Sequence, residues 1–136
     1  MEGFVGYLPS DNSIYIAYRG SESINNWISN LDAFKDVYDE WPECNCEVHG
    51  GFQNAIQSVQ DEVSTEVRRL KGLYPNYDVK VTGHSLGAAL ALLNGMALLK
   101  EGIDTTMINF GQPRVFDDAG ANFVMARYSH YRVTHW

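Results

Sequence analysis

In the segment VKVTGHSLGAALALLNG, residues 79–95, a serine stands between two glycines where one apolar run hands over to another. Gly83, His84, Ser85, Leu86 and Gly87 fit G-x-S-x-G, the pattern of a sharp strand-to-helix turn that lifts a serine hydroxyl clear of a sheet. A side chain at either glycine would crowd so tight a turn. A helix that begins there aims free backbone N–H groups and the positive end of its dipole at the hydroxyl. The chemistry on offer is attack by Ser85 on an ester carbonyl, with the Leu86 N–H stabilising the oxyanion that forms. The bare five-residue pattern also arises by chance, as a plain turn. Context favours the catalytic reading: the β run DVKVTG precedes it, a buried helix follows, and Ala88 and Ala89 are small enough to let that helix pack close.

The elements that must hold this turn are legible in outline. GFVGY and SIYIAYRG are β-rich runs separated by LPSDN, whose Pro, Ser, Asp and Asn form a turn, so residues 3–7 and 14–19 predict a hairpin. From 53 to 74, Ile56, Val59, Val63, Val67 and Leu70 recur at steps of three and four, the signature of an amphipathic helix. Residues 85–102 are apolar on nearly every face and end at Gly102, which describes a helix buried in a larger structure. MINFG at 107–111 and YRVTH at 131–135 predict further strands, with ANFVMARYS between them as helix or loop. Strands alternating with helices predict an α/β fold on a mostly parallel sheet.

Composition narrows the class. A chain of 136 residues with 45% hydrophobic residues can build one domain with a core. Ten Lys+Arg against 17 Asp+Glu, in no long like-charged block, leave nothing resembling the basic footprint that nucleic acid demands. No run of 18 apolar residues predicts a membrane span, and MEGFVGYLPSDN lacks the basic start and apolar centre of a signal peptide. Cys44 and Cys46 form C-x-C, which has no second half for zinc. A free pair is the expectation there, a local disulfide the lesser reading.

Several segments together resemble the fungal-type (class 3) lipases of the α/β-hydrolase superfamily. VTGHSLGAALALL is similar to their nucleophile elbow, VHGGF at 48–52 to the segment ahead of their long helix, and AYRGSESINNWISNL at 17–31 to a strand end and lid. NFGQPRVFDDAGANF resembles their FGQPRVG strand and turn, with Phe116 where a glycine is common. The resemblance spans nearly the whole chain and implies an α/β-hydrolase core with flanking helices over residues 1–136, truncated relative to the family. It implies a serine ester hydrolase: Ser85 as nucleophile, Ser21 and Leu86 at the oxyanion, Gly83, His84 and Gly87 shaping the elbow, and Trp27 on a lid. The implied substrate is an acylglycerol or related acyl ester, met by transient contact at a lipid–water interface, with no cofactor and no metal. Relatives of this kind are often extracellular.

Read from the residues alone, Ser21 is an ordinary turn or cap and Trp27 an ordinary core residue, although polar neighbours bracket it.

A serine needs a histidine to take its proton and a carboxylate to orient that histidine, in the chain order Ser, acid, His for these hydrolases. Asp104, Asp117 and Asp118 do not match the family's acid, and no histidine is a convincing base. His84 adjoins Ser85 on a sharp turn, His49 and His135 match family positions that are not the base, and His130 reads as a surface residue. The expectation is therefore a fragment that ends ahead of its acid and base. Two alternatives remain: a non-catalytic relative that keeps the elbow and binds an apolar ligand or partner, and a short active enzyme using His130 or His135.

Overall fold

The computed structural model describes residues 3–19, 35–112 and 114–128, together with the backbone of 131–134. Ser21, Trp27, His130 and His135 lie outside the described residues.

β1 (Gly3–Leu8) and β2 (Ser13–Tyr18) form the expected hairpin, antiparallel from Gly3 opposite Tyr18 to Leu8 opposite Ser13. Its turn is a short 3-10 segment closed by Asn12, whose left-handed backbone (φ 50°) suits asparagine. Beyond the hairpin every pairing in the main sheet is parallel: β2 with β5 (Asp78–His84), β5 with β6 (Thr106–Phe110), and β6 with β7 (Tyr131–Thr134). The order β1-β2-β5-β6-β7 makes β5, which ends at the candidate serine, the middle strand.

α1 (Gly50–Leu73) starts three residues before the apolar periodicity does. The reason is a cap that the usual Ser, Thr, Asp and Asn set does not include. His49 ends β4 (Glu47–His49), and its Nδ1 accepts the Phe52 N–H at 3.3 Å, satisfying one of the donors a helix start leaves open. α1 buries Phe52, Ile56, Val67 and Leu70.

α2 (Leu86–Lys100) is buried at every position from Gly87 to Leu98, as its all-round apolarity predicts. Its core partners include Ile14, Ile16, Val81 and Met107 of the sheet. α1 and α2 are also tied by polar contacts. The Asn94 amide donates to Gln60 Oε1 at 3.0 Å, Ser64 Oγ donates to Glu101 Oε2 at 2.7 Å, and Arg68 pairs with Glu101.

ANFVMARYS falls largely within α3 (Asp118–Arg127), capped by the Asp117 carboxylate, which accepts the Gly120 N–H at 2.9 Å. Phe116, at the family's glycine position, is buried edge-on against Tyr38 with ring centroids 5.0 Å apart. Gly120 makes room for it, since a Cβ there would lie 2.7 Å from the Phe116 side chain.

Two features depart from expectation. A two-stranded ribbon, β3 (Lys35–Val37) against β4 (Glu47–His49), leads into α1. At its tip Cys44 and Cys46 are joined in a disulfide, with Cα atoms 5.2 Å apart, so the expected free pair is corrected. The chain between them turns through Asn45 in a left-handed conformation (φ 50°), which brings the two side chains together.

Candidate active site

Apolar, β-prone alternation carries the chain up β5 with Val79 and Val81 turned into the core. At Ser85 the backbone reverses into α2 through φ 55°, ψ −116°, a combination that a residue with a Cβ rarely adopts. Three contacts hold it there. The Ser85 N–H donates to the Phe110 carbonyl on β6 at 2.9 Å, and the Ser85 carbonyl accepts from the N–H groups of Ala88 and Ala89 at 3.0 and 3.3 Å.

Both glycines of the motif are sterically required. A Cβ on Gly83 would sit 2.1 Å from the Gly87 carbonyl oxygen, and one on Gly87 would sit 2.2 Å from the Tyr18 carbonyl oxygen and 3.0 Å from the Arg19 backbone. The absence of two side chains therefore lets the end of β5, the first turn of α2 and the end of β2 converge at one point. Ser85 lies at the C-terminal ends of parallel strands, where open α/β sheets place their reactive groups. It is 8% exposed, and the first N–H groups of α2, including that of Leu86, have no acceptor within their own helix.

The other titratable residues weighed from the sequence sit elsewhere or are engaged in structure. His84 is the exposed last residue of β5. His49 is buried and stacks on Phe52 with ring centroids 4.0 Å apart, and burial pushes its pKa below the ordinary histidine value. Asp117 caps α3, and Asp118 pairs with Arg114 at 3.2 Å.

One residue at the site is not apparent from motif or periodicity. Asn109 on β6 is fully buried, pairs in register with Gly83, and donates its amide to the Ala88 carbonyl at 2.8 Å and to Gln112 Oε1 at 2.9 Å. The signals in the sequence are an amide inside the otherwise apolar MINF and its place at the head of the NFGQPRVFDDAGANF segment.

A sequence model of the family described as lipase (class 3) matches residues 15–136. The chain belongs to the class 3 lipases. Among members of that family, the lipase of Rhizomucor miehei is 42% identical over 130 residues, which cover 92% of this chain and 35% of that one. The secreted mono- and diacylglycerol lipase 1 of Fusarium solani is 36% identical over 98% of this chain and 40% of its own length. The solved structure of the Rhizomucor miehei triacylglyceride lipase matches with a TM-score of 0.88 at 39% identity, covering 98% of this chain and 51% of that one. The chain thus spans between 35% and 51% of the length of these relatives. Its mostly parallel sheet and flanking helices are those of the α/β-hydrolase fold. Among the described residues, no helix is long and apolar enough to cross a membrane.

Proposed function

We propose that the protein is a serine ester hydrolase acting on acylglycerols, that residues 1–136 belong to one lipase domain, and that Ser85 is its nucleophile. The observation that carries this reading is the backbone of Ser85, held at positive φ on the tip of the middle strand with a helix N-terminus directly behind it. A plain turn has no need of a strained serine, and such strain persists where the surrounding structure over-determines it.

In this reading the Ser85 hydroxyl gives its proton to a histidine and bonds to the ester carbonyl carbon. The Leu86 N–H receives the oxyanion, the alcohol leaves with a proton, and water then hydrolyses the acyl-serine. Ser21 supplies the second oxyanion contact. What supports it is register: Ser21 follows the Arg-Gly pair in AYRGSESINNWISNL, the segment similar to the family's strand end and lid. The base is assigned to neither His49, which caps α1, nor His84. The names of the relatives favour mono-, di- or triacylglycerols as substrates, with the segment around Trp27 meeting the lipid surface.

The test is hydrolysis of emulsified mono-, di- and triacylglycerols by the whole protein beside Ser85→Ala. A loss of about a thousandfold or more in kcat is expected. Equal rates would sink the catalytic reading and favour a non-catalytic relative that binds apolar ligands. For the lid, Trp27→Ala should lower the rate on emulsions more than on a dissolved short-chain ester; equal effects would remove that role.

A further inference from the structure

We infer that Asn109 is a positioning residue for Ser85, fixing the start of α2 against β6 so that the hydroxyl and the Leu86 N–H stay in register with one another. The inference rests on the hydrolase reading above.

β6 grips the elbow through two successive residues. The Phe110 carbonyl takes the Ser85 N–H, and the Asn109 side chain reaches past Gly83, its cross-strand partner, to the carbonyl of Ala88. The main-chain bond fixes the turn at the serine. The amide bond fixes the helix three residues later, at the Ala88 whose own N–H closes back on the Ser85 carbonyl. Both anchors are made on one strand, so the peptide units from 85 to 88 cannot rotate relative to β6 without breaking one of them. Those units contain the Leu86 N–H proposed to meet the oxyanion.

The amide is poorly explained as packing. The position is fully buried, and its same-face neighbour on the strand, Met107, is buried too, so an apolar side chain would fill it. An amide there must be desolvated, which is costly unless its groups are bonded. Asn109 directs its NH2 to the Ala88 carbonyl, Gln112 Oε1 and the Met107 sulfur, the last at 3.0 Å, while its Oδ1 has no hydrogen-bond partner among the described residues. A side chain that leaves one buried acceptor open, yet donates to the first turn of the nucleophile's helix, is better accounted for by geometry at the serine than by stability. Gln112, half-exposed just beyond β6, helps to orient the amide by accepting from its NH2.

The test is Asn109→Asp in the whole protein, which keeps the shape and replaces the donating NH2 with an oxygen. Expected are a kcat roughly 10- to 100-fold lower with KM within about twofold, because small misplacements of reacting groups cost rate rather than binding. Covalent capture of Ser85 by a p-nitrophenyl alkylphosphonate should slow by a similar factor, with urea melts showing the variant folded under assay conditions. A folded variant with reduced stability but wild-type kcat and capture rate would overturn the inference, since Asn109 would then be structural only. If Asn109→Asp does not fold, Gln112→Leu decides. It removes the orienting acceptor while leaving the Asn109 amide in place, and should lower kcat several-fold at constant KM; an unchanged kcat there would overturn the inference equally. Ser85→Ala is run alongside: turnover that persists in it removes the hydrolase reading and this one together, whereas its loss beside an unaffected Asn109→Asp removes this one alone.

Discussion

Gly83 and Gly87 approach so closely that a methyl group on the first would lie 2.1 Å from the carbonyl oxygen of the second. The contact is backbone against backbone, across the turn that carries Ser85. Neither partner has a flexible end that could move aside, so the approach can be relieved only by parting β5 from α2.

Gly83→Ala and Gly87→Ala should therefore each destabilise the protein by about 3 kcal/mol or more, at the upper end of overpacking costs. Gly72→Ala is the matched control. Its Cβ would meet nothing within 4 Å on α1, and it should stabilise by about 0.5 kcal/mol through helix propensity. Urea unfolding of the three variants checks both signs, and an equal effect at positions 72 and 83 would contradict the steric account.

The strain at Ser85 makes a separate prediction. Glycine adopts φ 55° without penalty, whereas serine held there costs of order 1–3 kcal/mol. Ser85→Gly should abolish ester hydrolysis and raise the unfolding free energy by about 1 kcal/mol, after the greater entropy of an unfolded glycine is deducted. Ser85→Ala keeps the Cβ and should not gain this stability. A melt in which glycine and alanine are equal would show that the turn stores no strain.

His49 predicts a pH dependence of stability. Its Nδ1 caps α1 only when unprotonated, and burial lowers its pKa from the ordinary histidine value. The unfolded chain thus takes up the proton more readily than the folded one. The contribution of the neutral cap is complete above about pH 6.5 and is lost as the pH falls below that toward the folded-state value. His49→Asn can still cap a helix but does not titrate. Unfolding free energies measured between about pH 5 and 7.5 should show a steeper acid loss in the parent than in His49→Asn. Parallel slopes would exclude His49 as the source.

The disulfide closes a very small ring. In the chain-entropy account a three-residue loop contributes about 1.5 kcal/mol, far less than a long-range bridge. Replacing both Cys44 and Cys46 by serine should therefore lower the melting temperature by only a few degrees and leave the protein folded. Complete unfolding of the double variant would mean that the β3–β4 ribbon depends on the bridge for its existence.

The parts of the fold that could be read from the sequence are those whose information is local and repeated. α1 showed itself through five apolar residues on one stripe, α2 through apolarity on every face, and the hairpin through Pro, Ser, Asp and Asn between two β-rich runs. The serine turn was legible because two glycines flank it at a change of period. What escaped depends on single residues meeting at long range. KDV and EVH are too short to show alternation, and only their pairing makes them strands. The start of α1 hung on a histidine acting as a cap, and the bridging of Cys44 with Cys46 on a left-handed turn at Asn45. Asn109 acquires a role only when β6 lies beside the serine's helix.

The contact between Gly87 and the backbone of Tyr18 and Arg19 bears on the order in which the molecule is assembled. Residues 78–110 contain the strand, the serine, its helix and the Phe110 that anchors the turn, so much of the elbow can form from neighbouring sequence alone. The hairpin that ends at Tyr18 is synthesised earlier, but the edge of β2 not taken by β1 must wait for this unit, since its partner there is β5. A nascent chain therefore carries the hydroxyl without the wall that completes its surroundings. Docking of this earlier-made hairpin onto the later strand is the step that brings the Tyr18 backbone against Gly87, which ties completion of the turn's surroundings to the closure of the sheet.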